Sequence, residues 1–203
     1  MLPLTAIDFE STGLTPGYPD EPWQIGLVPF ELRGGPGPRF DSEAAGDSDA
    51  PLDAWLHIAP DRPFNPYAPG RHAEVRPQLA AAAPFPEQWP AIAPRIARGQ
   101  ILVAHNASTE KKFLARLAPL TPFPRWIDTL AVARAAFPGL SSYTLADVVT
   151  AANLRPALDA LLPGRTWHDA LFDALACAVF LRWLLFQPGW SAVPLAKLER
   201  LVP

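Results

Sequence analysis

The sequence predicts an α/β domain with a mixed sheet, and three observations carry that prediction. Strand-like apolar runs at 3 to 9, 23 to 32 and 52 to 58 follow one another, which is the order of an antiparallel meander. From residue 100 onward, short apolar runs alternate with helical patterns, which is the order of parallel strands joined through helices. The run HDALFDALACAVFLRWLL, residues 168 to 185, is apolar on most helical faces and must be largely buried.

The elements follow in order. The first two strands are residues 3 to 9 and WQIGLVPFEL, 23 to 32; between them TGLTPG turns the chain. GGPGPRFDSEAAGDSDAP, 34 to 51, is rich in Gly, Pro, Asp and Ser and reads as a flexible loop. LDAWLHI, 52 to 58, is a third strand, closed off by Pro60. RPFNPYAPGR, 62 to 71, is an irregular crossing segment. Residues 78 to 99 read as helical pieces interrupted by prolines, with Gly99 as a C-cap. QILVAH, 100 to 105, is a buried central strand, and NASTEKKFLARLA, 106 to 118, is the helix after it, with His105 and Asn106 ending the strand and capping the helix. RWID, 125 to 128, is a strand running into the helix TLAVARAAF, which Pro138 and Gly139 stop. YTLADVVTAAN, 143 to 153, and the long apolar run complete the set.

With 203 residues, 49% of them hydrophobic and 18% charged, the chain has the material for one domain spanning 1 to 203 with a sizeable core. The 26 prolines and 12 glycines together stay below the ~25–30% that marks low complexity. A net charge of −3 argues against a surface that binds polyanions nonspecifically, so an anionic ligand needs a local basic patch or bound cations. The single cysteine, Cys177, excludes an internal disulfide and a thiolate metal site, and reads as a core residue. No signal peptide is visible, and the apolar run at 170 to 186 is broken by Asp173 and Arg182, which argues against a membrane span and for a cytoplasmic protein. There is no G-x-S-x-G and no H-E-x-x-H, so serine or zinc hydrolase chemistry has no support.

The informative residues are carboxylates in apolar surroundings. Asp8 and Glu10 are two apart on the first strand, so both project from one face near its C-terminal end. Two acids there are either solvated or bridged by something positive. Asp173 lies inside the most apolar helix, where a carboxylate needs a partner and nearby cations are few. His168 is five residues earlier; on one helix the two would point about 140° apart, so they converge only if His168 sits in the loop or cap entering the helix. PGRTWHD allows that, with Thr166 or Asp169 as the cap. Glu110 falls in the first turn of its helix, just past an apolar strand, where the helix dipole alone would also accommodate it.

D-x-E on the first strand, AHNASTEKKFL in the middle and H-x4-D on a late helix, in that order and with IDTLAVARAAFP between the second and third, resemble the DEDDh 3′→5′ exonucleases. That family includes the proofreading epsilon subunit of bacterial DNA polymerase III and ribonuclease T. The resemblance covers nearly the whole chain. It implies a ribonuclease H-like fold: a mixed five-stranded sheet with an antiparallel three-strand start, flanked by helices. Two departures stand out. Thr109 and Glu110 occupy the places where the family usually has an aromatic and an aspartate, and His72-Ala73-Glu74 stands where a His-Gly-Ile often contacts substrate.

The resemblance implies a metal-dependent enzyme removing nucleoside monophosphates from the 3′ end of DNA or RNA. Hard oxygen ligands suit two divalent ions, Mg²⁺ or Mn²⁺. Asp8 is expected to bridge them, Glu10 and Asp173 to complete their shells, and Glu110 to bind directly or through water. His168 is the expected general base. Ser11, Thr12, Gly13 and Leu14 are expected at the terminal nucleotide, with Leu14 against the base, and His72 is a further candidate contact. The expected partner is a nucleic acid with a 3′ end, single-stranded DNA or RNA before duplex. The chain ends soon after its last helix with no long tail for docking onto a polymerase, so a stand-alone enzyme is expected. The competing reading is a non-catalytic nucleic-acid-binding or scaffold domain with a decayed site, which the change at 109 and 110 and the acidic balance favour.

Overall fold

The computed structural model describes residues 3–32, 50–68, 70, 72–98, 101–123 and 125–202, without the side chains of 72, 73 and 98. The expected loop at 34–51 lies almost wholly outside these residues, as does Gly99.

Five strands form one sheet: β1 (Pro3–Ser11), β2 (Pro22–Glu31), β3 (Leu52–Trp55), β4 (Ile101–Ala104) and β5 (Arg125–Asp128), in the order β3-β2-β1-β4-β5. β1 to β3 pair antiparallel, and β1, β4 and β5 pair parallel. The mixed sheet expected from the sequence is therefore present, with β1 at its centre. β3 is shorter than its apolar run: the Leu56 N–H still donates to the Trp23 carbonyl of β2, but the Ile58 N–H donates to the Leu79 carbonyl of a helix instead.

The alternation along β1 divides its side chains between two cores. Leu4 and Ala6 face a core built with α7 (Ala170–Leu185). Ile7 and Phe9 face a second core built with α2 (Phe85–Arg98) and α3 (Ser108–Leu117). Asp8 and Glu10 continue the Leu4–Ala6 row, so the period of two aims both carboxylates at the side covered by α7. α7 is buried at all but two of its 16 residues, in agreement with its apolar composition.

The prolines act differently from expectation. Helix starts at α1 (His72–Ala81), six residues earlier than the sequence suggests, and continues through Pro77; α2 continues through Pro90 and Pro94. In α2 both prolines lie on the exposed side, while Phe85, Ile92 and Ile96 are buried on the other. Packing of that amphipathic stripe offsets the lost backbone hydrogen bonds. The remaining helices are α4 (Thr129–Ala136), α5 (Leu145–Ala151), α6 (Arg155–Leu161) and α8 (Leu195–Leu198). Of these, α6 and α8 were not expected; α6 is a short helix opening with Pro156 in its first turn.

Candidate active site

The carboxylates meet at the C-terminal end of β1. Glu10 is 7% exposed, Glu110 3% and Asp173 9%, so three acids are withdrawn from water together. Ligand atoms of Glu10, His168 and Asp173 all lie within 4.8 Å of one another. Asp8 belongs to the same electrostatic group: burial and then the charges of Asp173, Glu110 and Glu10 push its pKa well above the usual carboxylate range. Burial, reinforced by neighbouring carboxylates, also pushes Glu10 to about 8, and it pushes Glu110 to about 8 and Asp173 to about 7.

Glycine 26 brings α7 close enough for this to happen. It is the cross-strand partner of Asp8 on β2. A Cβ built on Gly26 would lie 2.1 Å from the Ala170 carbonyl oxygen, so the first turn of α7 rests directly on β2 backbone. Asp173, one turn further along, is thereby placed over β1. Gln24, the cross-strand partner of Glu10, accepts the Ala170 N–H at 3.2 Å.

His168 is where convergence with Asp173 requires it to be. It precedes the helix with φ +63, in the left-handed region, and Asp169 is the N-cap, accepting the Phe172 N–H at 3.1 Å. The His168 N–H turns back onto Asp173 Oδ2 at 3.2 Å. Partial burial lowers the pKa of the exposed imidazole below its ordinary value.

Glu110 arrives from another direction. It is the third residue of α3, and the turn from β4 into that helix is held by Asp128 at the end of β5. Asp128 accepts the Asn106 and Ala107 N–H groups, each at 3.0 Å, while also capping α4 through the Leu130 N–H at 2.9 Å. Asn106 therefore does not cap α3 with its side chain, as the sequence suggested; Ala107 is the N-cap position and the capping carboxylate comes from 22 residues away. His105 does not cap either. Its ring bridges Thr129 Oγ1 at 3.1 Å and the Tyr143 carbonyl at 2.8 Å, and burial lowers its pKa.

The turn after β1 forms the rim. Leu14 is 77% exposed, whereas Thr12 is fully buried and occupied. Its N–H and Oγ1 bond Glu21 and its carbonyl accepts the Asn65 N–H, which ties the turn to the crossing segment. Gly13, at φ +71, has no room for a side chain: a Cβ would lie 2.9 Å from Asn65 Cβ. Ser11, Gly13 and Leu14 thus stay on the rim while Thr12 faces inward. His72 opens α1, but its side chain lies outside the described residues.

The donor set fits divalent cations. Glu110 Oε2 and Asp173 Oδ1 are buried and have no hydrogen-bond partner among the described residues. An unpartnered buried carboxylate oxygen is costly unless a cation or proton compensates it. The set is carboxylate oxygens beside one imidazole; the nearby Cys177 thiol is buried and held protonated. That chemistry favours Mg²⁺ or Mn²⁺ over softer ions.

Comparisons with known proteins bear on the family and the fold. A family model described as Exonuclease, of the RNase T type, matches residues 5–181. Among curated proteins none matches the sequence. The nuclease domain of 3′hExo, a DEDDh family member solved with rAMP, aligns at TM-score 0.62 and 16% identity over 93% of this chain and 94% of its own. E. coli Exonuclease I bound to a dT13 oligonucleotide aligns at TM-score 0.63 and 16% identity, over 92% of this chain but 41% of its own. S. pombe Pop2p, in its Mg²⁺- and Mn²⁺-bound form, aligns at 0.62 and 13% identity, over 98% and 89%. At these identities the structural likeness speaks to the fold, which is ribonuclease H-like. No described helix is long and apolar enough to cross a membrane.

Proposed function

Because the chain belongs to the exonuclease family, we propose that it is a 3′→5′ enzyme of the DEDDh type, shortening single-stranded DNA or RNA from the 3′ end by two-metal-ion hydrolysis and releasing nucleoside monophosphates. The observation that carries the reading is the buried cluster of Glu10, Glu110 and Asp173, two of them with an oxygen unpartnered among the described residues, beside His168. Asp8, Glu10, Asp173 and Glu110 would hold two divalent ions, Mg²⁺ or Mn²⁺. When bound, such ions neutralise the site, polarise the phosphate and lower the pKa of coordinated water.

The residues do the rest. His168 accepts the proton of the attacking water, which its lowered pKa and exposed position permit. The water oxygen bonds to phosphorus and the bond to the 3′ oxygen of the shortened strand breaks, that oxygen taking up a proton. Leu14 and the backbone of Ser11 and Gly13 receive the terminal nucleotide, and His72 lies on the helix that follows the crossing segment. The exposed cations Lys111, Lys112 and Arg116 on α3 offer phosphate contacts along the strand.

Oligonucleotides labelled at the 5′ end, incubated with Mg²⁺ or Mn²⁺, test this. A ladder shortening from the 3′ end is expected, and Asp8→Ala or Asp173→Ala should slow it by about 10³-fold or more, the loss of several kcal/mol of charge stabilisation. No shortening, or shortening that both variants retain, would sink the proposal.

A further inference from the structure

The face of the sheet under α7 carries a third acid with a different job. Asp53 on β3 is the cross-strand partner of Gly26, so Asp8, Gly26 and Asp53 form one row across three strands. The first turn of α7 rests over the gap that Gly26 leaves in this row. Asp53 Oδ1 accepts from Gln24 Nε2 at 2.8 Å, and Gln24 Oε1 in turn accepts the Ala170 N–H. On its other oxygen Asp53 accepts from Arg165 Nη1. The same nitrogen donates to both oxygens of Asp169, at 2.9 and 2.8 Å. The ring of contacts closes through the Asp169 cap on Phe172. His168 lies between the two anchored points, Arg165 and Asp169, with its backbone in the left-handed region.

Resting on the exonuclease reading above, we propose that Arg165 is a positioning residue of this active site. By joining Asp53 of β3 to Asp169 it fixes the turn that presents His168 and holds Asp169 as the cap of α7.

Three variants test this: Arg165→Gln, Arg165→Lys and Asp53→Asn, read by amide exchange in the metal-free protein and by nuclease kinetics. In Arg165→Gln the amides of His168, Ala170 and Phe172 should exchange about tenfold faster or more, while those in the middle of α7 keep parental protection. Its kcat should fall about 10- to 100-fold, as for residues that orient ligands, with KM for the oligonucleotide within about twofold of the parent. A purely structural loss would lower the active fraction and protection throughout α7. Arg165→Lys should recover most of kcat, because one nitrogen makes both contacts and an ammonium has three donors. Combining Arg165→Gln with Asp53→Asn should cost no more than the worse single change. A kcat for Arg165→Gln within about twofold of the parent overturns the proposal, as does a rise in KM with kcat intact. A parent with no activity on any oligonucleotide sinks the exonuclease reading instead. The exchange data then decide for Arg165: unchanged protection at His168, Ala170 and Phe172 overturns its positioning role, and faster exchange supports it.

Discussion

Asp8, Glu10 and Asp173 are carried by the middle of the sheet and the buried helix lying on it, whereas Glu110 is carried by a helix that starts from a turn held by one carboxylate, Asp128. The first half is fixed many times over. Its strand is paired on both sides, its helix is buried almost throughout, and the contact at Gly26 leaves no clearance. The second half rests on a helix packed through Phe113 and Leu114, clamped at its start through two backbone N–H groups, and on the length of a glutamate side chain. The difference teaches where each half tolerates change: the first fails through packing, the second through reach.

The contrast is sharpest at Gly26. Gly26→Ala puts a methyl group where the Ala170 carbonyl sits, so α7 must move and Asp173 and His168 must move with it. A displacement near 1 Å is expected to cost about 10²-fold in kcat, together with a lower Tm. If Gly26→Ala keeps parental kcat and Tm, the first half is not held as described.

The second half should give a smaller and cleaner loss. Asp128→Asn keeps the shape but removes the charge that attracts the Asn106 and Ala107 N–H groups, and about a tenfold fall in kcat is expected, within the range for groups behind a metal ligand. Titration with Mn²⁺ should show weaker uptake. Parental kcat and Mn²⁺ affinity in Asp128→Asn would show that α3 is placed by its core contacts, Phe113 and Leu114, without the clamp.

The smallest expected effect is on stability against pH. Glu10 and Glu110, each about 8, and Asp173, about 7, are raised far above the ~4 of an unfolded chain. The folded metal-free protein therefore binds more protons than the unfolded one between those values. The contribution of these groups is fully present below pH ~4 and is lost as pH rises toward ~8. In chelator, Tm should fall between pH 5 and pH 8, and Mn²⁺ should raise it more at pH 8. His105 works the other way: its lowered pKa contributes stability that is present above its ordinary ~6.5 and lost as pH falls through the folded value. Glu10→Gln and Glu110→Gln should each flatten the decline, and comparing the two slopes measures how much charge strain each half carries. A Tm in chelator that rises from pH 5 to pH 8 would contradict the burial assigned to these acids.

The parts legible in the sequence are those with a local period. Two carboxylates two apart on a strand must share a face, and a glutamate in a first turn must sit near the preceding strand's end; the structure places Asp8, Glu10 and Glu110 accordingly. His168 was conditional, because helical geometry separates it from Asp173 by ~140°, and only a backbone at φ +63 removes that conflict. The supports were not legible. Asp53 and Arg165 are 112 residues apart, and no local pattern pairs them. Asp128 closes a short strand and caps the helix that begins at Thr129, and its second task across 22 residues is invisible without the sheet order. Gly26 did leave a signal: a lone glycine inside an apolar strand marks a close backbone approach.

The placement of α7 also has a consequence for how the molecule comes into being. The site is encoded near residues 10, 110 and 170, and the last helix to supply it is the same one that covers the central strands. A ribosome must release almost all of the described fold before β1 has its cover, so the long-range pairing that slows folding also postpones chemistry. The nascent chain thus lacks a complete carboxylate cluster until its fold is closed.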